Sequence, residues 1–172
     1  MKLADALRTA VAHHNAGRFA EAEQLYAAIL QAVPDNVDAL HLSGLARYQQ
    51  GDHAAAIERI RRALEKRDDA PDIWMNLGTV LKEAGETDKA REAYGRALSL
   101  KPDHAGALVN LGTVLQQTGD IEGAIALYKR GTEITPDAET AWSNLGLAHL
   151  AAGDLDAAVG ALRRATQISP DN

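Results

Sequence analysis

Residues 71–104 read PDIWMNLGTVLKEAGETDKAREAYGRALSLKPDH. Each half of this stretch spaces its apolar residues three or four positions apart, which gives each half one apolar helical face. Between the halves, Gly85 can adopt the left-handed backbone conformation that ends a helix. Pro102 stops the second helix, because proline has no N–H to donate and its ring clashes with the preceding turn. The stretch therefore predicts two helices joined by a tight turn.

The same pattern recurs every 34 residues along the chain. Two sets of small residues keep this interval without a slip: Gly17, Gly51, Gly85, Gly119 and Gly153, and Ala22, Ala56, Ala90, Ala124 and Ala158. One helical hairpin cannot bury its own apolar face, so the hairpins must stack on one another. We predict a single domain, residues 3–172, with ten helices in five repeats: 3–36, 37–70, 71–104, 105–138 and 139–172.

Small residues inside the helices indicate close packing within each hairpin. Gly78, Gly112 and Gly146 recur in the first helix of three repeats, although a glycine there costs about 1 kcal/mol relative to alanine. Their recurrence predicts that the second helix approaches closely at these points. We also expect Asp88 and Asp103 to cap the helices that follow them, by accepting hydrogen bonds from free backbone N–H groups.

A known motif links these positions. The tetratricopeptide repeat (TPR) motif, Trp-x2-Leu-Gly-x2-Tyr, then Ala-x3-Phe, then Pro, is matched in repeat three at Trp74, Leu77, Gly78, Leu81, Ala90, Tyr94 and Pro102. Repeat five matches it at Trp142, Leu145, Gly146, Ala158 and Pro170, and departs from it at His149 and Leu162. The chain resembles this family over residues 3–172. The resemblance implies an all-α, right-handed α-solenoid (superhelix) of five antiparallel helix-turn-helix hairpins, with an inner groove lined by the first helices.

By the same resemblance, the groove positions of repeats three to five are mostly polar and uncharged. Asn76, Asn110 and Asn144 occupy one position in three consecutive repeats, so we expect them to form a ladder. A carboxamide offers both a donor and an acceptor, so such a row can hold an extended peptide backbone. The run Asn-Leu-Gly resembles the repeats of O-linked N-acetylglucosamine transferases, in which an asparagine ladder holds peptides. The remaining polar candidates are Thr79, Thr113, Lys82, Gln116, Gln117 and Ser143.

Two alternatives stay open for these sites. The asparagines can instead bond to water or to the adjacent helix. In repeats one and two the groove positions include apolar residues, among them Leu7, Val11, Leu42 and Leu45, next to Tyr48. Exposed apolar groups of this kind mark interaction sites, unless the packing of the repeats covers them.

Composition narrows the classes of partner. The 18 basic and 24 acidic residues give a net charge of −6, which argues against nucleic acid as the partner. The basic cluster Arg59, Arg61, Arg62, Lys66 and Arg67 is expected to form a solvated helix face. There is no cysteine, no signal peptide pattern and no apolar run of the roughly 18 residues that a membrane span needs. A cytoplasmic protein without membrane contact is expected.

No catalytic motif is present, and the six histidines are scattered without the i, i+4 spacing of a helical metal site. We therefore expect no catalytic residue, no metal and no cofactor, and interpret the chain as a protein-interaction module that binds a protein or an extended peptide in its groove. One alternative is the amino-terminal substrate-recognition arm of a larger glycosyltransferase-type enzyme.

A third alternative is a self-associating scaffold. The last helix carries Leu155, Val159, Leu162 and Ile168, which one packing partner cannot all cover. The expected homo-oligomer would be joined either through the first repeats or through this uncapped carboxy-terminal helix.

Overall fold

The computed structural model describes residues 2–170, and these residues form helices and turns without a strand. The helices are α1 Leu3–Asn15, α2 Phe19–Ala32, α3 Val37–Gln49, α4 His53–Lys66, α5 Pro71–Glu83, α6 Thr87–Leu100, α7 Ala105–Gln117, α8 Ile121–Ile134, α9 Glu139–Ala152 and α10 Leu155–Ile168. Met1, Asp171 and Asn172 lie outside the described residues, and with them the end of the predicted fifth repeat. The predicted all-α fold of ten helices in five hairpins is confirmed.

Each hairpin turns at the periodic glycine. These five glycines have φ between 72° and 90°, the left-handed region in which a Cβ would be strained. The turn after α5 illustrates the hydrogen bonding: Gly85 N–H donates to Lys82 O at 3.0 Å, and Glu86 N–H donates to Leu81 O at 2.9 Å. The glycine thus satisfies the last carbonyl groups of the first helix, and the second helix begins directly after it.

The two helices of a hairpin meet at the periodic glycines and alanines. A Cβ added to Gly112 would lie 2.6 Å from Tyr128 Cε1, and one added to Gly146 would lie 2.6 Å from Leu162 Cγ. Gly44 has the same relation to Ile60, at 2.7 Å. The five periodic alanines of the second helices are completely buried. The predicted close approach is confirmed at Gly112 and Gly146.

The predicted caps were wrong. Asp88 lies inside the first turn of α6, because the turn at Gly85 ends so abruptly that the helix has already begun at Thr87. In other repeats the N-cap of the second helix lies two residues before the position that is equivalent to Asp88. Asp52, Asp120 and Asp154 accept hydrogen bonds from the N–H groups of the third helical residues, at distances of 2.9 to 3.2 Å.

Asp103 also precedes the true cap by one residue. His104 N–H donates to Lys101 O at 3.1 Å, so residues 101–104 form a turn before the chain enters α7. The cap is therefore His104, whose Nδ1 accepts from Ala107 N–H at 3.3 Å. Asn36 caps α3 at the equivalent position, with Oδ1 accepting from Ala39 N–H at 2.8 Å.

Contacts between the helices fall into two compact units, Met1–Lys89 and Ala90–Asn172. In the first unit α1 to α4 form two hairpins, and each later helix packs on the one before it as far as α5. In the second unit α7 to α10 do the same. The first helices of successive repeats also meet, α1 with α3, α3 with α5, and α7 with α9. Within each unit they therefore present a shared surface, which we call the first-helix surface.

Candidate functional site

In the first unit, the first-helix surface comprises α1, α3 and α5. Asn76 on α5 places Nδ2 2.9 Å from Nε2 of His41 on α3. An amide nitrogen only donates, so Nε2 of the imidazole accepts this hydrogen bond and carries no proton. Burial lowers the pKa of His41 below its ordinary value of 6.5, and Asp38 opposes this shift. The carboxamide of Asn76 is thus bound to the adjacent first helix. This is one of the alternatives to a peptide-binding ladder that the sequence left open.

Further along α5 the surface is charged. Lys82 Nζ pairs with Glu83 Oε1 at 3.2 Å, so this groove candidate already has a partner on its own helix. Tyr48 on α3 lies against His53, with ring centroids 5.7 Å apart. Burial raises the pKa of Tyr48, and the negative charge of Glu83 raises it further. Thr79 donates to Met75 O of its own helix at 3.2 Å.

The apolar candidates of the first unit are largely occupied by packing. Leu7 and Leu42 pack against the core cluster that includes Ala10, Tyr26 and Ile29. Leu45 is half-buried. These side chains therefore present only part of their surface to a partner.

In the second unit, the first-helix surface comprises α7 and α9. The buried Tyr128 places its hydroxyl 3.2 Å from both Thr113 Oγ1 and Gln116 Oε1. Burial raises the pKa of Tyr128, while the hydrogen bond to Thr113 lowers it in part. Thr113 and Gln116 thus already satisfy a core hydroxyl, and Gln117 next to them is exposed.

The next first helix, α9, presents polar side chains that are not used in this way. Ser143 and Asn144 are half-buried, and neither side chain forms a hydrogen bond with any part of residues 2–170. Asn110, at the equivalent position on α7, is also half-buried. Because α7 and α9 are in contact, Asn110 and Asn144 belong to one surface.

Two exposed leucines on α9 were missed in the sequence. Leu147 and Leu150 are 49% and 43% exposed. They lie 34 residues after Thr113 and Gln116, at the equivalent positions of the next repeat. The repeat alignment that identifies Thr113 and Gln116 as groove candidates therefore also identifies these leucines. The α7–α9 surface therefore combines the Asn144 carboxamide and the Ser143 hydroxyl, which have no partner within residues 2–170, with exposed apolar side chains.

Of the basic cluster on α4 and at its end, only Arg59 is less exposed than expected. Arg59 pairs with Glu23 of α2, and Lys66 Nζ lies 2.7 Å from Asp35 Oδ2. Arg67 pairs with Asp38 at 3.0 Å. Arg61, Arg62, Lys66 and Arg67 are all exposed, as the sequence predicts, although Lys66 and Arg67 also pair with carboxylates. These pairs connect secondary elements and do not form an anion site.

The two tryptophans hold the linkers between repeats. Trp74 Nε1 donates to Asp68 O at 2.7 Å, and Trp142 Nε1 donates to Pro136 O at 2.9 Å. Both bonds reach back six residues, so the motif tryptophan fixes the linker that enters its own helix. Within the described part of the chain, no group of His, Asp and Glu has the arrangement of a metal site. None of the described helices is long and apolar enough to cross a membrane.

Stacked helical hairpins with a shared first-helix surface define a repeat protein of the protein-interaction class. A family model described as "Cilia and flagella-associated protein 70 middle TPR-like domain" matches residues 49–168, and one described as "Tetratricopeptide repeat" matches residues 13–77. The chain belongs to the tetratricopeptide repeat family and is a protein–protein interaction module. No curated protein sequence matches it.

Solved structures share this fold. MamA is 27% identical, with a TM-score of 0.84 over 94% of each chain. YrrB, described as a TPR protein with an unusual peptide-binding site, is 22% identical, with a TM-score of 0.77 over 97% of this chain and 86% of YrrB. A chain of the APC/C hetero-tetramer Cut9–Hcn1 is 20% identical, with a TM-score of 0.86 over 99% of this chain and 34% of that one.

Proposed function

We propose that this chain is an adaptor that holds an extended segment of a partner polypeptide on its first helices, chiefly on the α7–α9 surface. The carrying observation is the half-buried Asn144 carboxamide, which has no hydrogen-bond partner within the described residues. A carboxamide can pair with a peptide N–H and a peptide C=O at once. An extended backbone therefore matches the polar groups that α9 leaves unused.

The neighbouring side chains supply the rest of the binding free energy. Each hydrogen bond to the peptide contributes only about 0.5–1.5 kcal/mol, because water competes for the same groups. Leu147 and Leu150 add apolar area, worth about 25 cal/mol per Å² removed from water. The proposed ligand is thus an extended segment with apolar side chains, whose backbone is read at Asn110 and Asn144.

In the first unit Asn76 has a smaller role in this proposal. Its Nδ2 already bonds to His41, which leaves the carboxamide oxygen and the second N–H for a ligand. YrrB, which shares the fold, is described as having a peptide-binding site, and this supports the proposal at the level of fold.

The test is peptide binding measured by fluorescence polarisation on hits from a peptide array. An Asn110→Ala, Asn144→Ala double variant should weaken binding about tenfold, because it removes the two hydrogen bonds that the Asn144 carboxamide can make and the contact at Asn110. Backbone N-methylation of the bound peptide should weaken it similarly, since the ligand then lacks N–H donors. Gln24→Ala, which removes an exposed carboxamide on α2, is the matched control and should leave affinity unchanged.

Retention of full affinity by the double variant would contradict the proposal, provided that its thermal unfolding matches the wild type. Equal loss in Gln24→Ala would contradict it as well. Binding of the N-methylated peptides at full strength would exclude backbone reading.

A further inference from the structure

The last helix, α10, carries an exposed apolar face formed by Leu155 and Val159. Val159 is 54% exposed and Leu155 is 64% exposed. The residues equivalent to Val159 in two inner repeats are Ile57, which is 8% exposed, and Ile125, which packs against the cluster containing Leu145 of α9. Where this register position is apolar in an inner repeat, its side chain is thus covered at least in part; repeat three places the exposed Arg91 there instead.

The amino-terminal helix does not complement this face. In α3 the residues that face the preceding helix pair are small and completely buried: Ala39, Ser43 and Ala46. The equivalent residues of α1 are Asp5, Thr9 and Ala12, and all three are exposed. Asp5 is moreover paired with Arg8 at 2.8 Å. The outer face of α1 is therefore polar, which disfavours head-to-tail stacking of α10 on α1 of another copy.

The face of α10 is instead complementary to itself. Asp156 and Arg163 lie seven residues apart, about 10.5 Å along the helix, on the same flank of the apolar face. Both are exposed, and within residues 2–170 neither forms an ion pair. When two copies of α10 run antiparallel about a two-fold axis near Val159, Asp156 of each copy faces Arg163 of the other.

Steric room on the flank that carries these charges supports this arrangement. Gly160 lies about 100° around the helix from Val159, on that flank. A Cβ added to Gly160 would meet nothing within 4 Å, so the flank is open to an approaching helix. Glycine lets two helices approach closely because it has no side chain. Closed two-fold contacts of this kind place the same patch on both partners and end the assembly at two copies.

We propose that a second copy of this chain docks on α10, in an antiparallel pair centred near Val159. The contact buries Leu155 and Val159 of both copies and forms two symmetric ion pairs between Asp156 and Arg163. It uses a second helix and none of the first-helix residues, so it is independent of peptide binding. One helix pair buries an area at the low end of stable interfaces, so dimerisation depends on concentration in the micromolar range.

Analytical ultracentrifugation of the whole chain from about 10 to about 500 µM, at low ionic strength, tests the proposal. Wild type should dimerise, and Val159→Asp should be monomeric throughout. Asp156→Arg should weaken dimerisation about tenfold, because it replaces two attractive charge pairs by two repulsive ones. The double variant Asp156→Arg, Arg163→Asp should restore the wild-type constant to within about threefold.

Arg164→Asp changes an equal charge on the other side of α10 and should have little effect. Circular dichroism checks that each variant keeps its helices. A wild type that remains monomeric at every concentration would overturn the proposal. So would a dimer that is insensitive to Val159→Asp, or one whose Asp156→Arg loss the second charge reversal fails to rescue.

Discussion

At the scale of the residue, the close packing of the hairpins depends on glycines, which lack a Cβ atom. Gly112 and Gly146 sit where a Cβ would lie 2.6 Å from a side chain of the facing helix. Such contacts cannot be relieved cheaply when the facing atom belongs to a buried ring, as it does at Tyr128. The close helix packing that glycine permits therefore outweighs its unfavourable helix propensity at these positions.

This argument predicts opposite effects for two glycine substitutions. Gly112→Ala should destabilise the fold by about 1–3 kcal/mol, because the new methyl group displaces the Tyr128 ring and its hydrogen bonds to Thr113 and Gln116. Gly95→Ala, inside α6, should stabilise it by about 0.5–1 kcal/mol, since a Cβ there meets nothing within 4 Å. Denaturant unfolding of both variants measures the difference. Equal effects of the same sign would show that helix propensity alone governs these positions.

At the scale of the element, the sequence was sufficient for features that repeat and insufficient for those that do not. The period located every turn glycine and both helices of every hairpin, because these depend on local spacing. The cap at Asp120 was missed, since Asp88 and Asp103 look equally suitable until the helix starts are known to a residue. The bond from Asn76 to His41 was foreseen only as an alternative, because it depends on how neighbouring first helices align.

The same bond between α3 and α5 predicts a dependence of stability on pH. Burial lowers the folded-state pKa of His41 below its ordinary value of 6.5, so below that pH the unfolded chain binds more protons than the folded one. Stability should therefore fall as the pH drops from about 7.5 to about 5.5, with protonation also removing the acceptor for Asn76.

His41→Gln tests this, because glutamine can accept from Asn76 but does not titrate. Its denaturant unfolding curves should shift less between these pH values than those of the wild type. Burial also lowers the pKa of His14, so the variant should retain part of the dependence. An unchanged dependence in His41→Gln would mean that its protonation is not coupled to folding.

At the scale of the whole molecule, the candidate surfaces occupy different helices of the second unit. The proposed peptide contacts lie on the first helices α7 and α9, whereas the proposed self-contact lies on the second helix α10. Neither could be chosen from the repeat motif, which is common to all five repeats. Both came from differences between the repeats: Asn144 has no hydrogen-bond partner among residues 2–170 where Asn76 bonds to His41, and Val159 is exposed where Ile57 is buried.

If both proposals hold, the dimer carries two equivalent peptide sites, and this has a measurable consequence. Two linked sites on one particle rebind to a densely coated surface before the particle escapes, so avidity exceeds the single-site affinity. Val159→Asp should therefore bind a free peptide in solution as tightly as wild type, yet dissociate at least about tenfold faster from a surface densely coated with that peptide. On a sparsely coated surface the two proteins should dissociate at the same rate, because two sites cannot be engaged together. Faster dissociation on both surfaces would instead place Val159 within the peptide site, and equal rates on both would mean that the copies bind independently.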